Sequence, residues 1–340
     1  MHKDEEWTAF FQRTNGWVAG DGAFSIPLSD GRVIWLFGDS HVNDFDPHTK
    51  TLPALFQVRS AAMIHPKEQL THDATKLLNA PANHNMFEHP EGRKFWFWPQ
   101  AGFERDGAVY IYLASLQPRG KPGNFDFQTS GRYLVKLSLP ALKPTTYTRL
   151  PDSNDIDFGC GFVSDDATGE MFAFGQKGNG LETSVFLARL RPVLPERDWK
   201  YWDGAGWNDH VAAAAPVAKL PSVSVAACKL RGQYVLTSAA LSVACDMGRD
   251  IFVSTSNSPT GPFSSNKKIY TIDDIVEGHY PFFYIPVVHP EFINHKDEVL
   301  LTYCINGYEP CLPMSVNGRM NPDHYRPKAI RVPLKLILGE

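Results

Sequence analysis

The stretch from residue 17 to residue 44 constrains the fold more than any other, because it reads as two β-strands joined by a tight turn. Its sequence is WVAGDGAFSIPLSDGRVIWLFGDSHVND. Apolar residues that favour strands occupy 23–28 and 33–37, and the Asp-Gly pair at 30–31 between them is a strong hairpin signal. The pattern therefore predicts an antiparallel hairpin.

Two aspartates bracket this predicted hairpin. Asp21 lies just before the first strand and Asp39 just after the second, so antiparallel pairing would make them neighbours. Glycines at 20, 22 and 38 flank them and leave room for a ligand. Two facing carboxylates are the minimum needed to cleave a glycosidic bond. The alternative is that each Gly-Asp pair forms a turn that the aspartate side chain caps.

Four more hairpin patterns follow along the chain, each an apolar strand, a polar turn and a second apolar strand. They pair 94–98 with 108–115, 159–164 with 170–176, 223–230 with 233–240, and 287–293 with 298–305. Five all-strand repeats predict an all-β fold, a five-bladed β-propeller, in a single domain over residues 1–340. A β-sandwich is the competing architecture.

The segments between the hairpins contain few other structural signals. Long polar connections at about 42–92 and 191–220 are expected on the faces of the propeller, where binding sites are built. Helical patterns are weak and confined to 66–78, 272–276 and an alanine-rich run near 210–218 that Pro216 interrupts.

Composition excludes several classes of function. The net charge is −4 without a long basic run, so we expect no nucleic-acid partner. No apolar run approaches the ~20 residues of a membrane span, and the N-terminus shows no apolar leader. The five cysteines form no CxxC pair, which favours buried free thiols, although a bridge is possible. Motifs for nucleotide binding and for a nucleophilic serine are absent, and we expect no cofactor.

In a propeller, the inner strands of all blades converge on one channel, so polar residues on them would face the same cavity as Asp21. Further candidate acids are Asp155 or Asp157 from the third hairpin, Asp246 from the fourth and Glu291 from the fifth. Of the adjacent pair we favour Asp157. Glu291 follows His-Pro within an apolar run, and its alternative is a buried acid paired with Arg59 or Arg249.

Side chains that would bind a sugar lie near these acids or in polar loops. The candidates are His41, Asn83, His84, Asn85, Trp98 and His289. His41 and His289 adjoin candidate acids, where hydrogen bonding is a commoner role than metal binding. The twelve histidines show no metal-ligand spacing, so we expect no metal site. The 83–85 segment reads equally well as a plain loop, and Trp98 equally well as a core residue.

The opening motif DGAFSIPLSDGRVIWLFGDS resembles the first blade of five-bladed propeller glycoside hydrolases, closest to the endo-D-arabinanase group (glycoside hydrolase family 183) and its gut-bacterial relatives. SNSPTGPF at 256–263 and HPEFINHKDEVLLTYCIN at 289–306 resemble later segments of similar enzymes. The resemblance implies a five-bladed propeller that cleaves furanoside linkages in a polysaccharide and is secreted or periplasmic. It further implies a retaining mechanism, with Asp21 as nucleophile and Asp39 as acid/base.

Other propeller enzymes suggest different arrangements. The inverting propeller hydrolases use three carboxylates on different blades, for which Asp21, Asp157 and Glu291 are the nearest candidates. A non-catalytic glycan-binding propeller and a glycoside phosphorylase are two further alternatives. A phosphorylase would need cations beside the acids, for which Arg59, Arg249 and His289 are available. The expected partner is a polysaccharide or oligosaccharide substrate, and the expected state is a monomer.

Overall fold

The structure is a computed structural model that describes the chain except residues 122–125, 166–167, 179, 192–194, 196, 243–244, 246, 308–310 and 340. Its main strands form five antiparallel sheets, and the innermost strand of each sheet contacts the innermost strands of its neighbours in a ring. The five-bladed β-propeller that the repeated hairpins predict is therefore confirmed. The blades are numbered 1 to 5 in chain order.

The first two blades have four strands each. From the axis outward, blade 1 consists of Trp17–Pro27, Arg32–Val42, Ala61–Pro66 and Lys76–Leu77. Blade 2 consists of Trp96–Arg105, Ala108–Gln117, Gln128–Ser138 and Lys143–Arg149.

The next two blades follow the same plan. Blade 3 consists of Asp157–Ser164, Met171–Gly178 and Thr183–Leu190, extended by the short strands Lys200–Trp202, Trp207–Asn208 and Ala218–Leu220. Blade 4 consists of Val223–Leu230, Gln233–Ala239, Asp250–Ser256 and Lys267–Thr271.

Blade 5 combines both ends of the described chain. From the axis outward it consists of Phe282–Ile293, Glu298–Asn306, Lys328–Pro333 and His2–Lys3. Outside the blades, the two-residue strands Leu52–Pro53 and Arg319–Met320 pair with each other. The helical segments are Glu5–Phe11, Leu334–Leu338 and the 3-10 turns Val211–Ala213 and Pro322–His324.

The segments between the predicted hairpins contain more strand than their sequences indicate. The 42–92 connection holds the two outer strands of blade 1, and the 191–220 connection holds the short strands that extend blade 3. The helix predicted over 66–78 is wrong, because this segment consists of turns before the strand Lys76–Leu77, and 272–276 is not helical either. These strands are short, so pairing with a neighbour decides their structure more than local pattern does.

The hydrophobic core lies between the blades. Five large clusters of buried residues each join two neighbouring blades, and together they complete the ring. One example is the contact of Ile34 and Leu36 from blade 1 with Phe97 and Ile111 from blade 2. Because a blade is covered on both faces, its strands read as nearly continuous apolar runs.

The N-terminal segment closes the ring between blades 1 and 5. The strand His2–Lys3 pairs with Lys328–Pro333, and the helix Glu5–Phe11 follows, with the Asp4 carboxylate accepting a hydrogen bond from the Trp7 amide at 3.0 Å. The Trp7 ring lies 4.5 Å from that of Phe292 in blade 5 and 5.5 Å from that of Trp35 in blade 1. This helix has only seven residues, which is too few to give a clear periodic signal in the sequence.

A disulfide bond is a further departure from the sequence-based expectation. Cys245 and Cys311 are bridged, with their Cα atoms 5.4 Å apart, whereas Cys160, Cys228 and Cys304 are free. The bridge ties the connection after the second strand of blade 4 to the connection after the second strand of blade 5. Within the described part of the chain, no helix is long and apolar enough to cross a membrane.

We expect Trp7→Ala to lower the free energy of unfolding by about 3–5 kcal/mol. Removing the large indole would leave a cavity where blades 1 and 5 meet. Denaturant-induced unfolding followed by fluorescence measures this change. The control is Leu181→Ala, since Leu181 is 77% exposed and should change stability by about 0.5 kcal/mol or less. Equal stability of the two variants would contradict the assigned role of the helix.

Candidate active site

Both bracketing aspartates lie inside the blade 1 hairpin and not beyond its ends, because its strands are longer than the apolar runs predict. Pairing passes from Gly20 with Ser40 to Gly22 with Phe37, so the second strand carries one extra residue in this interval. Such a bulge re-aims the side chains beside it. Gly22 has φ +102°, a backbone conformation that L side chains rarely adopt.

The bulge turns the Asp21 side chain toward the neighbouring strand of its own hairpin. A Cβ atom added at Gly38 would lie 2.7 Å from Asp21 Oδ1, so the carboxylate occupies the space that a side chain there would need. Gly38 directly precedes Asp39 in the chain. The amide of Gly22 donates to Cys304 Sγ at 3.2 Å, which fixes the bulge against blade 5.

Two tyrosine hydroxyls donate hydrogen bonds to the Asp21 carboxyl. Tyr284, on the inner strand of blade 5, donates to Asp21 Oδ2 at 2.9 Å. Burial raises the pKa of Asp21 to about 6, and hydrogen bonds from Tyr284 and Tyr325 partly offset this rise. Asp21 is therefore ionised at neutral pH, with hydroxyl donors on its charge.

The Asp39 carboxyl has a different environment. It accepts a hydrogen bond from Trp98 Nε1 at 2.9 Å, and Arg59 Nη1 lies 3.2 Å from its other oxygen. Burial raises the pKa of Asp39 to about 7, the charge of Arg59 lowers it and the charge of Asp21 raises it further. Two acids on one hairpin therefore have different proton affinities, with the higher at Asp39.

Arg59 is fixed by two aromatic rings, Trp96 on blade 2 and Phe56 in the connection between the second and third strands of blade 1. Its guanidinium carbon lies 4.5 Å from the centroid of the Phe56 ring and 4.7 Å from that of the Trp96 ring. Its backbone amide donates to Asn85 Oδ1 at 2.7 Å. Cation–π contacts on both rings hold the guanidinium in a defined place beside Asp39.

Asp21 and Asp39 line the same cavity at the axis of the propeller, with a volume of about 1130 Å³. Much of its wall is apolar or aromatic, from Phe56, Trp96, Trp98, Phe127, Phe282 and Met314. Asp157 also lines it, on blade 3, where it accepts a hydrogen bond from Gln100 Nε2 at 2.8 Å and lies 3.3 Å from Arg132 Nε. The structure thus brings together Asp21, Asp39, Asp157 and Trp98 from the predicted residues.

The structure does not bring Glu291, His289 or His41 to this cavity. Glu291 is half-buried. Its carboxylate accepts a hydrogen bond from the Ser25 hydroxyl, and burial raises its pKa. His289 is fully buried and hydrogen-bonded to the hydroxyls of Ser25 and Thr302, and burial lowers its pKa to about 3. His41 is fully buried, and its Nδ1 lies 2.6 Å from an oxygen of Asp44. His289 and His41 are therefore in the protein interior, and the partly exposed Glu291 does not line the cavity.

The polar loop candidates do not line the cavity either. Asn83 and His84 are exposed. The side chain of Asn85 accepts a hydrogen bond from the Arg59 backbone amide. The Asp155 side chain is 92% exposed, and Asp246 lies outside the described residues. Arg249 stacks on the Tyr280 ring and does not line the cavity. The cation cluster that a phosphorylase would need from Arg59, Arg249 and His289 is therefore not assembled.

Several residues of the site escape sequence reasoning. They are Tyr284, Tyr325, Gln100 and Arg132, and also Arg59 in its contact with Asp39. Gln100 lies just after the predicted inner strand 94–98 and Tyr284 just before the predicted inner strand 287–293, and this closeness to inner strands is a usable signal. Tyr325 and Arg132 lie outside the inner strands, and nothing local marks them.

Residues 4–334 match the family described as "Domain of unknown function (DUF5005)". The chain belongs to this family. No curated protein matches the DUF5005 chain.

Solved structures similar to the DUF5005 chain are propeller proteins. A "putative hydrolase" from Bacteroides ovatus ATCC 8483 has 20% identity and a TM-score of 0.76, over 97% of this chain and 89% of that one. Bacillus subtilis levansucrase has 11% identity and a TM-score of 0.55, over 95% and 86%. The xylan β-1,4-xylosidase of Bacillus halodurans C-125 has 12% identity and a TM-score of 0.52, over 94% of this chain and 53% of the xylosidase. These likenesses show the fold.

We expect Asp39→Asn to raise the Tm at pH 8 by about 2 °C or more. The raised pKa of Asp39 means that folding disfavours its ionised form. The loss of folding stability from ionised Asp39 is absent below the unfolded-state pKa of 3.8. It grows as the pH rises and is complete above the folded-state pKa of about 7. Thermal scans at pH 4 and pH 8 test this. The gain should disappear at pH 4, and a gain equal at both pH values would contradict the argument.

Proposed function

We propose that this protein is a glycoside hydrolase that cleaves furanoside linkages of the arabinofuranoside type in a polysaccharide. The observation that carries the proposal is the pair Asp21 and Asp39, two carboxyls with different raised pKa values in one axial cavity. A glycosidase needs one such group ionised and the other protonated at its working pH. The fold shared with a xylosidase and a levansucrase supports this class of chemistry, and the first-blade motif supports an endo-D-arabinanase-like specificity.

In the retaining mechanism, Asp21 is the nucleophile and Asp39 the acid/base. Asp39 gives its proton to the glycosidic oxygen, whose bond to the anomeric carbon breaks, while the Asp21 carboxylate bonds to that carbon. The Asp39 carboxylate then takes a proton from water, the water oxygen attacks the anomeric carbon, and the bond to Asp21 breaks. The lower pKa of Asp21 and its hydroxyl donors suit the ionised role, and the pKa of Asp39 suits the role that alternates.

The apolar wall provides the surface for the sugar. Trp98 both lines the cavity and donates to Asp39, so a sugar that packs on its ring lies beside the acid. The C–H faces of sugars pack well on flat aromatic rings. An inverting mechanism through Asp21, Asp157 and Glu291 has less support, because Glu291 does not line the cavity.

The Cys245–Cys311 disulfide supports secreted or periplasmic localisation. Disulfides persist in oxidising compartments and are rare in the cytosol. A polysaccharide substrate too large to enter a cell requires the same location.

Asp21→Asn and Asp39→Asn should each reduce turnover of D-arabinan by at least about 10²-fold while the protein stays folded, because each removes an essential carboxylate. Reducing-end release and product analysis on D-arabinan, plant arabinan and other furanose polymers measure this. The matched control is Asp155→Asn, since this side chain is 92% exposed and does not line the cavity, and the substitution should leave activity unchanged. Near-normal rates in both site variants would refute the pair. In the retaining mechanism, NMR should show products with the anomeric configuration of the substrate.

The pH profile of kcat/KM should be bell-shaped with an optimum between about 6 and 7, the pKa values of Asp21 and Asp39. The acid limb reports ionisation of the nucleophile, and the alkaline limb reports deprotonation of the acid. The two limbs give apparent pKa values that belong to the coupled pair. Arg59→Met should move the alkaline limb to higher pH, because the charge of Arg59 lowers the pKa of Asp39. Arg59→Lys, which keeps the charge, is the control, and an unmoved limb in Arg59→Met would contradict the assignment.

A further inference from the structure

We propose that Asp157, together with Gln100 and Arg132, binds the hydroxyl groups of a neutral sugar unit next to the unit that reacts. This inference rests on the proposed function and adds a second sugar-binding position to it. Asp157 then contacts the substrate without taking part in bond cleavage, so it determines specificity for a polymer.

The inner strand of blade 2 links this position to the proposed catalytic pair. Trp98 and Gln100 are two residues apart on that strand. Trp98 donates to Asp39 on blade 1, and Gln100 donates to Asp157 on blade 3. The inner strand of blade 2 therefore hydrogen-bonds to one carboxylate on blade 1 and one on blade 3, and both carboxylates line the same cavity. A ligand that contacts both would extend across the inner strand of blade 2, as an oligosaccharide can.

The charges of the cluster indicate a neutral ligand. Arg132 lies 3.3 Å from Asp157 and offsets its charge, and the two side chains are 11% and 20% exposed, respectively. An anionic sugar would compete with Asp157 for Arg132, and a cation would compete with Arg132 for Asp157. Sugar hydroxyls both donate and accept, so they can bond a carboxylate and a guanidinium side by side.

The cluster also contains buried polar atoms whose hydrogen bonding is incomplete, which is unfavourable for the folded protein. Gln100 Oε1 is buried and has no hydrogen-bond partner within the described part of the chain. Arg132 Nε and Asp157 Oδ1 are buried and face each other at 3.3 Å as an ion pair, without the geometry of a hydrogen bond. Buried polar atoms without partners are unfavourable and concentrate at functional sites. A ligand that reorients these side chains recovers part of that free energy.

A glycine on blade 3 makes room for the cluster. A Cβ atom added at Gly159 would lie 1.5 Å from Gln100 Oε1 and 2.8 Å from a ring carbon of Tyr112. Any other residue at this position would displace the Gln100 amide from Asp157. This position therefore gives a way to disturb the cluster without changing one of its polar groups.

The test compares Asp157→Asn with the unaltered protein on D-arabinan and on a small aryl arabinofuranoside. We expect KM for D-arabinan to rise about 10-fold, kcat to change by less than about 2-fold, the pH profile to keep its limbs and the aryl substrate to be cleaved as before. Gly159→Ala should raise KM in the same way, and its control is Gly178→Ala, whose added Cβ would meet only Thr183 Oγ1 at 4.0 Å. A fall in kcat with unchanged KM, or a shifted pH limb, would place Asp157 in the chemistry and overturn the proposal.

A binding measurement separates this proposal from the proposed function. Affinity electrophoresis of the Asp21→Asn protein in gels containing D-arabinan, plant arabinan, xylan or levan needs no turnover. We expect retardation by at least one furanose polymer, and about 10-fold weaker retardation when Asp157→Asn is added. If the unaltered protein binds but cleaves nothing, the proposed function fails while the binding site still stands. If Asp157→Asn leaves retardation unchanged, or no polymer retards the protein, the binding site is refuted.

Discussion

Closure of the propeller between blade 1 and blade 5 is the constraint on which the site depends. Asp21 is on blade 1, while the hydroxyl donor Tyr284 and the sulfur that holds the bulge, Cys304, are on blade 5. The N-terminal helix packs Trp7 into the same seam. The contacts that complete the ring and those that surround Asp21 therefore belong to one interface, so a loss of closure would change the environment of the Asp21 carboxyl.

The two acids on blade 1 lower the stability of the folded protein. Burial and mutual repulsion raise the pKa of Asp39, which means that its ionised form is less stable in the folded protein than in the unfolded chain. The large hydrophobic clusters between the blades offset this cost. Sites that hold carboxyls in this way trade stability for a proton affinity suited to the reaction.

The sequence predicts the fold well because the inner two strands of each blade are local hairpins with clear turns. It predicts the Asp21 and Asp39 neighbourhood for the same reason. The sequence wrongly predicts that Glu291 and His289 face the cavity. The reason is that the inner strand of blade 5 has register shifts between Tyr284 and Val287 and between His289 and Ile293. Each shift changes which residues face the channel, and simple alternation does not foresee it. Partners distant in the chain, such as Tyr325, leave no local signal at all.

The position of the strand His2–Lys3 has a consequence for how the protein acquires its structure during synthesis. Its partner, Lys328–Pro333, is made more than 300 residues later. At typical translation rates this corresponds to roughly 15–65 s. During that time the Trp7, Phe10 and Phe11 rings have no blade 5 to cover them. The seam between blades 1 and 5 is therefore the last part of the propeller core that the chain can complete.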